Sequence, residues 1–191
     1  MRRSLRPVCE LIVAFVLPMW GLVPAPAHSP GQAVRAGAGD PAPPRPGDWP
    51  NIDIRDVYAN DAAKAALLGA SRWLARPKCQ LLFSEFKDQR GRPLTAKLSE
   101  LETDPERYLH LVRFVDGADS ATCKRHGVLA FTAPGSRVIY LCGRDFERAW
   151  RRDPREVQAT IIHEVLHSLG LGENPPSARH ITYRVQELCW D

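Results

Sequence analysis

The clearest hydrophobic pattern in the chain predicts one helix in its last quarter. Apolar residues recur there at every fourth position, which places them on one face of a helix. Asp153 can cap the start of this helix, Pro154 suits its first turn, and Glu156 follows the cap by three residues. Gly170 and Gly172 end it. The apolar stripe consists of Val157, Ile161, Val165 and Leu169.

Three more helices are predicted between residues 60 and 101. The first begins after a cap at Asn60 or Asp61 and is interrupted by Pro77, the second runs up to Gly91, and a shorter third follows. Apolar residues at this spacing are far more often core than part of a functional site. The three core faces are Leu67, Ala70, Trp73 and Leu74, then Cys79, Leu82, Phe83 and Phe86, then Leu94, Leu98 and Leu101.

The middle of the chain changes from helical spacing to strand composition. Residues 108–115, 128–132 and 138–142 are rich in β-branched and aromatic side chains, and Pro134-Gly135-Ser136 supplies a turn between the last two. These segments predict a small antiparallel sheet. With a short last helix beginning after Ser177, the pattern predicts an α+β fold.

The first 27 residues have the pattern of a Sec-type signal peptide. Basic residues precede an apolar run over 11–23, and Ala25-Pro26-Ala27 has the small-x-small form of a cleavage site. An uncleaved membrane anchor is the weaker alternative, because the run is short for a bilayer span. Cys9 precedes the run and is not placed as a lipoprotein cysteine. We therefore expect a secreted or periplasmic protein without stable membrane insertion after cleavage; the basic residues are Arg2, Arg3 and Arg6.

Residues 28–50 are rich in Pro, Gly and Ala and carry almost no large apolar side chains. Such a segment cannot bury enough surface to fold, so we expect a flexible leader. The remaining chain, residues 51–191, is long enough for one domain with one core. We expect this domain to be a monomer.

Charge does not favour a nucleic-acid partner. The full chain has 26 basic and 22 acidic residues. Removing Arg2, Arg3, Arg6 and Glu10 leaves 23 and 21, a net charge of +2. No basic stripe is present that would indicate binding to nucleic acid or anionic lipid. We interpret Arg151-Arg152 as part of a solvated loop.

Four cysteines follow the signal segment. An even number in an exported chain predicts two disulfides, for which three pairings are open. We prefer Cys123 with Cys142, which bracket the predicted hairpin, and Cys79 with Cys189, which would tie the last helix to the helical half. A zinc site made of cysteines is the alternative, but no two of them have the close spacing of structural zinc sites.

The helix predicted at 154–169 carries a His-Glu-x-x-His sequence. Residues four apart lie one turn apart on nearly the same face, so His163 and His167 can direct two imidazoles at one metal ion. Glu164 projects beside that face, where its carboxylate can reach a water on the open position of the ion. Two core histidines are the alternative, because the string also occurs by accident. The helix, its glycine end and the predicted export favour the metal site.

The extended sequence H-E-x-x-H-x-x-G-x-x-E resembles the signature of the metzincins, a clan of zincin metallopeptidases, with Glu173 where that clan usually has His. It is also similar to small secreted bacterial proteins in which the motif precedes an Asn-Pro-Pro-Ser segment, here Asn174 to Ser177. The match covers roughly residues 123–189. No Met follows the motif, so the Met-turn of metzincins is absent. The resemblance implies a minimal zincin-like domain in which one strand pairs with a peptide substrate.

Three residues are candidates for the third metal ligand. Glu173 is our first choice, because the two glycines let the chain turn back and a carboxylate is a normal zinc ligand. His180 is second, since it would lie level with His167 if the last two helices are antiparallel. Glu187 has a spacing that resembles thermolysin-like enzymes but would lie roughly 15 Å further along the last helix.

These features predict a zinc-dependent peptidase that acts on peptide or protein substrates. Zinc held by His163, His167 and Glu173 would acidify a bound water and polarise the scissile carbonyl, while Glu164 would act as the general base.

One further hypothesis concerns the oxyanion that the proposed reaction would form. Tyr183 or His180 is a candidate to stabilise the oxyanion, because both are near in sequence.

The alternative function is a non-catalytic zinc-binding module of the cell envelope, in which the ion staples the last two helices together. A structural site is closed by four protein ligands, whereas a catalytic site keeps a water, so the fourth ligand distinguishes the two functions.

Overall fold

The computed structural model describes residues 51–190, and within them the predicted α+β fold is confirmed. The signal peptide predicted at 1–27 and the leader predicted at 28–50 lie outside the described residues. A turn of 3-10 helix spans Leu109–Leu111. The helices are α1 (Val57–Leu74), α2 (Pro77–Glu85), α3 (Leu94–Glu100), α4 (Pro105–Tyr108), α5 (Gly143–Arg152), α6 (Pro154–Ser168) and α7 (Ala178–Cys189).

Four strands form one mixed sheet in the order β1-β2-β4-β3. The strands are β1 (Ile52–Asp53), β2 (Arg113–Asp116), β3 (Ala130–Phe131) and β4 (Val138–Leu141). The expected antiparallel sheet is wrong in polarity, because β1, β2 and β4 run parallel and only β3 is antiparallel, to β4. Helices α1 to α4 form the crossover from β1 to β2, and such a crossover returns the chain in the same direction.

The segment predicted as a strand over 108–115 is a strand only from Arg113 onward. Tyr108 instead ends α4, because Pro105 occupies the first turn of that helix and the Asp104 carboxylate caps it by accepting a hydrogen bond from the Arg107 N–H. The local helix signals therefore outweigh the β-rich composition of this stretch.

Two helix boundaries differ from the prediction, and α5 lies where a loop was expected. Helix α1 starts earlier than predicted, because the Asp56 carboxylate accepts the hydrogen bond from the Ala59 N–H. Helix α2 ends at Glu85, where Phe86 turns extended, so it stops short of Gly91. Helix α5 was not predicted: the Arg151-Arg152 pair lies in its last turn and not in a loop. Only Gly143, Phe146 and Ala149 of α5 are buried, too few for a recognisable apolar stripe.

Helix α6 is the central element of the domain. Its start is as predicted, with the Asp153 carboxylate accepting hydrogen bonds from the N–H groups of Arg155 and Glu156. It packs against α1, α5 and α7 and also against β3 and β4. Burial consequently extends well beyond one stripe, and the fully buried residues of α6 are Val157, Ala159, Ile161, Ile162, Val165 and Leu166.

Both preferred disulfide pairings are confirmed. Cys79–Cys189 joins α2 to α7, and Cys123–Cys142 joins the segment before β3 to the residue after β4. The sequence separations are 110 and 19 residues. Loops of these sizes correspond to about 5 and 3 kcal/mol of stabilisation in the chain-entropy model. Stable disulfides are typical of extracytoplasmic proteins. Across residues 51–190, no helix is both long and apolar enough to cross a membrane.

Candidate metal centre

Three side chains converge at the end of α6. The Nε2 atoms of His163 and His167 are 3.0 Å apart. Oε1 of Glu173, in the loop that follows α6, lies 3.6 Å from His163 Nε2 and 3.5 Å from His167 Nε2. Both imidazoles are buried, whereas 43% of the Glu173 side chain is exposed. The three donors therefore form a cluster that is enclosed on the helix side and open on the loop side.

The separations between these atoms match those of donors around one tetrahedral ion. Ligand distances of about 2.0–2.1 Å place two donors of a tetrahedral zinc site roughly 3.3 Å apart. The three separations of 3.0, 3.5 and 3.6 Å lie close to this value. Two imidazoles and one carboxylate also match a ligand set of catalytic zinc sites.

The other ring nitrogens fix the orientation of the imidazoles. Nδ1 of His167 lies 2.8 Å from the Leu171 carbonyl oxygen, and Nδ1 of His163 lies 3.0 Å from Thr182 Oγ1. Since a carbonyl can only accept, His167 carries its proton on Nδ1, which leaves the Nε2 lone pair directed at the cluster. Such bonds are typical of histidines that bind a metal.

His163 is already in the protonation state that a metal requires. Burial lowers the pKa of His163 to about 3, with a further contribution from His167. The imidazole is therefore neutral at pH 7, and no proton must be removed before Nε2 can bind a cation.

A turn from another part of the chain supports the loop that carries Glu173. Gly170 adopts a φ of 112°, and a Cβ there would lie 3.1 Å from the Asp88 Cβ. Leu171 forms a β-bridge with Asp88, and the Gln89 N–H donates to the Gly170 carbonyl oxygen at 3.1 Å. The turn after α2 thus supports the backbone that brings Glu173 back to the histidines. This contact could not be predicted from the sequence, because its partners are some eighty positions apart.

Glu164 lies beside the cluster and is only 7% exposed. Burial raises the pKa of Glu164 to about 8, and the nearby Glu173 carboxylate adds to this rise, while the Thr132 N–H opposes it. Without a cation the carboxyl group therefore holds a proton at neutral pH. A cation bound beside it would favour the ionised carboxylate.

A cavity of about 450 Å³ opens onto the cluster. Helix α6 forms its floor, residues 127–132 form one wall, and α7 forms another. The α7 residues in its lining are Ala178, Thr182 and Gln186, which recur every fourth position and so share one face. The four-residue spacing of Ala178, Thr182 and Gln186 is the sequence signal from which this wall of the cavity could have been predicted.

Several predicted site residues lie elsewhere. Tyr183 is 59% exposed and His180 is exposed, and neither lines the cavity, because the preceding Thr182 occupies the facing side of α7. The expected role of either residue at the oxyanion stays a prediction, to which the lining of the cavity gives no support. His180 packs edge-on against Phe86, and Glu187 pairs with Arg184. Neither rival for the third ligand belongs to the cluster.

Among residues 51–190, β3 is an edge strand of the sheet, and it lines this cavity. The carbonyl oxygen of Leu129, the residue before β3, accepts a hydrogen bond at 2.9 Å from the N–H of Cys142, the residue after β4. The backbone N–H and C=O groups of successive residues point to opposite sides of a strand. The backbone groups of Ala130 and Thr132 therefore face away from β4, in agreement with the Thr132 N–H near Glu164. The edge strand that the sequence could not identify is thus β3, which lies next to the cluster.

No protein-family model matches this chain, and no curated protein or solved structure is significantly similar to it.

Proposed function

We propose that this protein is a secreted zinc-dependent peptidase. The observation that carries the proposal is the convergence of His163, His167 and Glu173 on one point beside the buried Glu164 carboxylate. The resemblance of the motif to the zincin signature supports it. So do the two disulfides, which fit an exported protein.

Each residue has a distinct part in the proposed reaction. The imidazoles and Glu173 would hold the ion, and the bonds from Nδ1 of His163 and His167 to their neighbours keep the rings oriented. Zinc bound there would acidify a water molecule and polarise the scissile carbonyl. Glu164 would accept the proton of the attacking water at its carboxylate and transfer it to the leaving amine.

The free edge of β3 would hold the substrate. An extended peptide can add to an exposed strand through main-chain hydrogen bonds, and Ala130 offers an N–H and a C=O on the side of the cavity. Such pairing places the peptide backbone alongside Glu164 and the two histidines. It also explains how a small domain could bind a substrate without a deep pocket.

The number of donors favours catalysis over a structural role. Within residues 51–190, only three His, Cys, Asp or Glu side chains meet at this point. A structural zinc site is closed by four protein ligands, whereas a catalytic site has three and an open position. The fourth coordination position, which the three donors would leave open, adjoins the cavity.

Hydrolysis of a broad peptide library tests the proposed function. We expect the purified protein to cleave a subset of peptides, to lose this activity to a chelator, and to regain it on addition of stoichiometric zinc. Hydrolysis that persists after complete removal of the metal would contradict the proposed mechanism.

Glu173→Ala should weaken zinc binding more than Glu187→Ala. The first change removes a donor of the cluster, whereas the second removes an exposed carboxylate that pairs with Arg184. Loss of a residue that merely orients a ligand costs about 10–100-fold in metal affinity, so loss of Glu173 should cost at least about 100-fold. Competition with a chromophoric zinc chelator measures both affinities. Equal affinities would exclude Glu173 as a ligand.

A further inference from the structure

A second cavity adjoins the one at the metal cluster. Its volume is about 620 Å³, and the two cavities share Gly127, Leu129 and Glu156 in their linings. The shared residues lie at the start of the β3 segment and in the first turn of α6. A peptide that follows β3 away from Glu164 therefore passes directly into the second cavity.

The second cavity carries an excess of positive charge. Arg148 pairs with Asp145, and Arg152 pairs with Glu156 at 3.0 Å. Two exposed cations, Lys124 and Arg125, have no ion-pair partner among residues 51–190. The charged lining therefore holds four cations against two carboxylates, a net of +2; the cations are Lys124, Arg125, Arg148 and Arg152, and the carboxylates are Asp145 and Glu156.

The distance from Glu164 to the positively charged cavity can be expressed as a number of residues of a peptide paired with β3. Thr132 lies at Glu164, and Leu129 lies at the junction of the two cavities. A strand rises about 3.3 Å per residue, so the three residues from Thr132 to Leu129 span about 10 Å. A peptide paired with β3 advances at the same rate, which places the cationic cavity about three residues from the bond at the metal cluster.

We propose that this cavity binds a carboxylate of the substrate about three residues from the scissile bond. The inference rests on the proposed peptidase function and adds a class of substrate to it: peptides with an acidic group at that distance. Two unpaired cations beside the substrate path attract a carboxylate, and the Arg125 guanidinium can bind one through two parallel hydrogen bonds. An Asp or Glu side chain and a free C-terminus would both supply this group.

Binding, and not turnover, provides the test. Zinc-loaded full-length protein carrying Glu164→Gln, which keeps the peptides intact, is titrated at low salt against three dye-labelled peptides of ten residues. One contains a single Glu, the second has Gln at the same position, and both are C-terminally amidated. The third contains Gln and a free C-terminus. The Glu position is moved along the peptide in a series, and fluorescence anisotropy gives each Kd.

We expect the best Glu peptide to bind about tenfold more tightly than its Gln counterpart, the effect of two solvent-accessible ion pairs. Lys124→Ala/Arg125→Ala should bring the Glu peptide to the level of the Gln peptide. The matched double change Lys64→Ala/Arg107→Ala removes a Lys and an Arg that line neither cavity, and it should leave the preference intact.

The remaining results of the peptide titration either support or overturn the proposed carboxylate site. Tight binding of the third peptide alone supports the proposal and assigns the carboxylate to a substrate C-terminus. Equal binding of all three peptides, binding of none, or a preference that survives the loss of Lys124 and Arg125 overturns it. A charge preference in a protein that hydrolyses nothing would refute the peptidase function alone, whereas hydrolysis without a charge preference would refute this inference alone.

Discussion

We expect Glu164→Gln to lower peptide hydrolysis by about two to four orders of magnitude while zinc content and thermal stability stay near those of the wild type. Glutamine keeps the size of the side chain and can still accept a hydrogen bond, but it cannot take a proton from water. Because Glu164 is not a donor of the metal cluster, its replacement should leave the ion in place. The carboxyl group is buried and has no ion-pair partner within residues 51–190, so a neutral amide also fits the site.

The measurement compares kcat/KM of the wild type and the variant at matched zinc occupancy. Glu187→Gln is the control, since it makes the same chemical change on the exposed face of α7. Equal hydrolysis by the wild type and Glu164→Gln would discard Glu164 as the base. No hydrolysis by either protein across a broad panel would favour the non-catalytic zinc module.

His167→Ala should abolish the stabilisation that zinc gives to the folded protein. A ligand at 100 times its Kd stabilises the state that it binds by about 2.7 kcal/mol, which for a domain of this size raises Tm by roughly 8 °C. His167 contributes one of the two imidazole donors, and its ring is also held by the Leu171 carbonyl oxygen. Without this donor we expect no rise in Tm on addition of zinc.

Thermal melts with and without zinc give the rise in Tm for each protein. Because each variant is compared with its own metal-free form, a loss of stability caused by the substitution itself does not change this difference. His180→Ala is the matched control, because it removes an exposed imidazole outside the cluster. A wild-type rise in Tm that persists in His167→Ala would rule out the cluster as the zinc site. Its loss in His180→Ala would instead indicate that His180 is a ligand.

The convergence of His163, His167 and Glu173 was predictable because these residues lie within eleven consecutive positions on one helix and its exit loop. Local signals define that helix, namely the Asp153 cap, Pro154 in the first turn and the glycines at the end. A helix period then places His163 and His167 together without any knowledge of the tertiary fold.

The surroundings of the cluster were not predictable, since they come from distant parts of the chain. Thr182 contacts His163 across 19 positions, and Asp88 supports the Gly170 turn from the other half of the domain. Their placement depends on how α7 and the turn after α2 pack, which local propensity does not specify. The direction of the strands was missed for the same reason, because polarity depends on the path of the connections.

A crystal structure of the zinc-loaded protein decides whether His163, His167 and Glu173 form a catalytic zinc centre. Crystals grown with stoichiometric zinc should show one ion bound by Nε2 of His163, Nε2 of His167 and a carboxylate oxygen of Glu173, at about 2.0–2.2 Å from each. We predict that the fourth position faces the cavity and holds no protein atom. Zinc bound elsewhere, or a fourth protein donor that closes the site, would contradict a catalytic zinc centre at these residues.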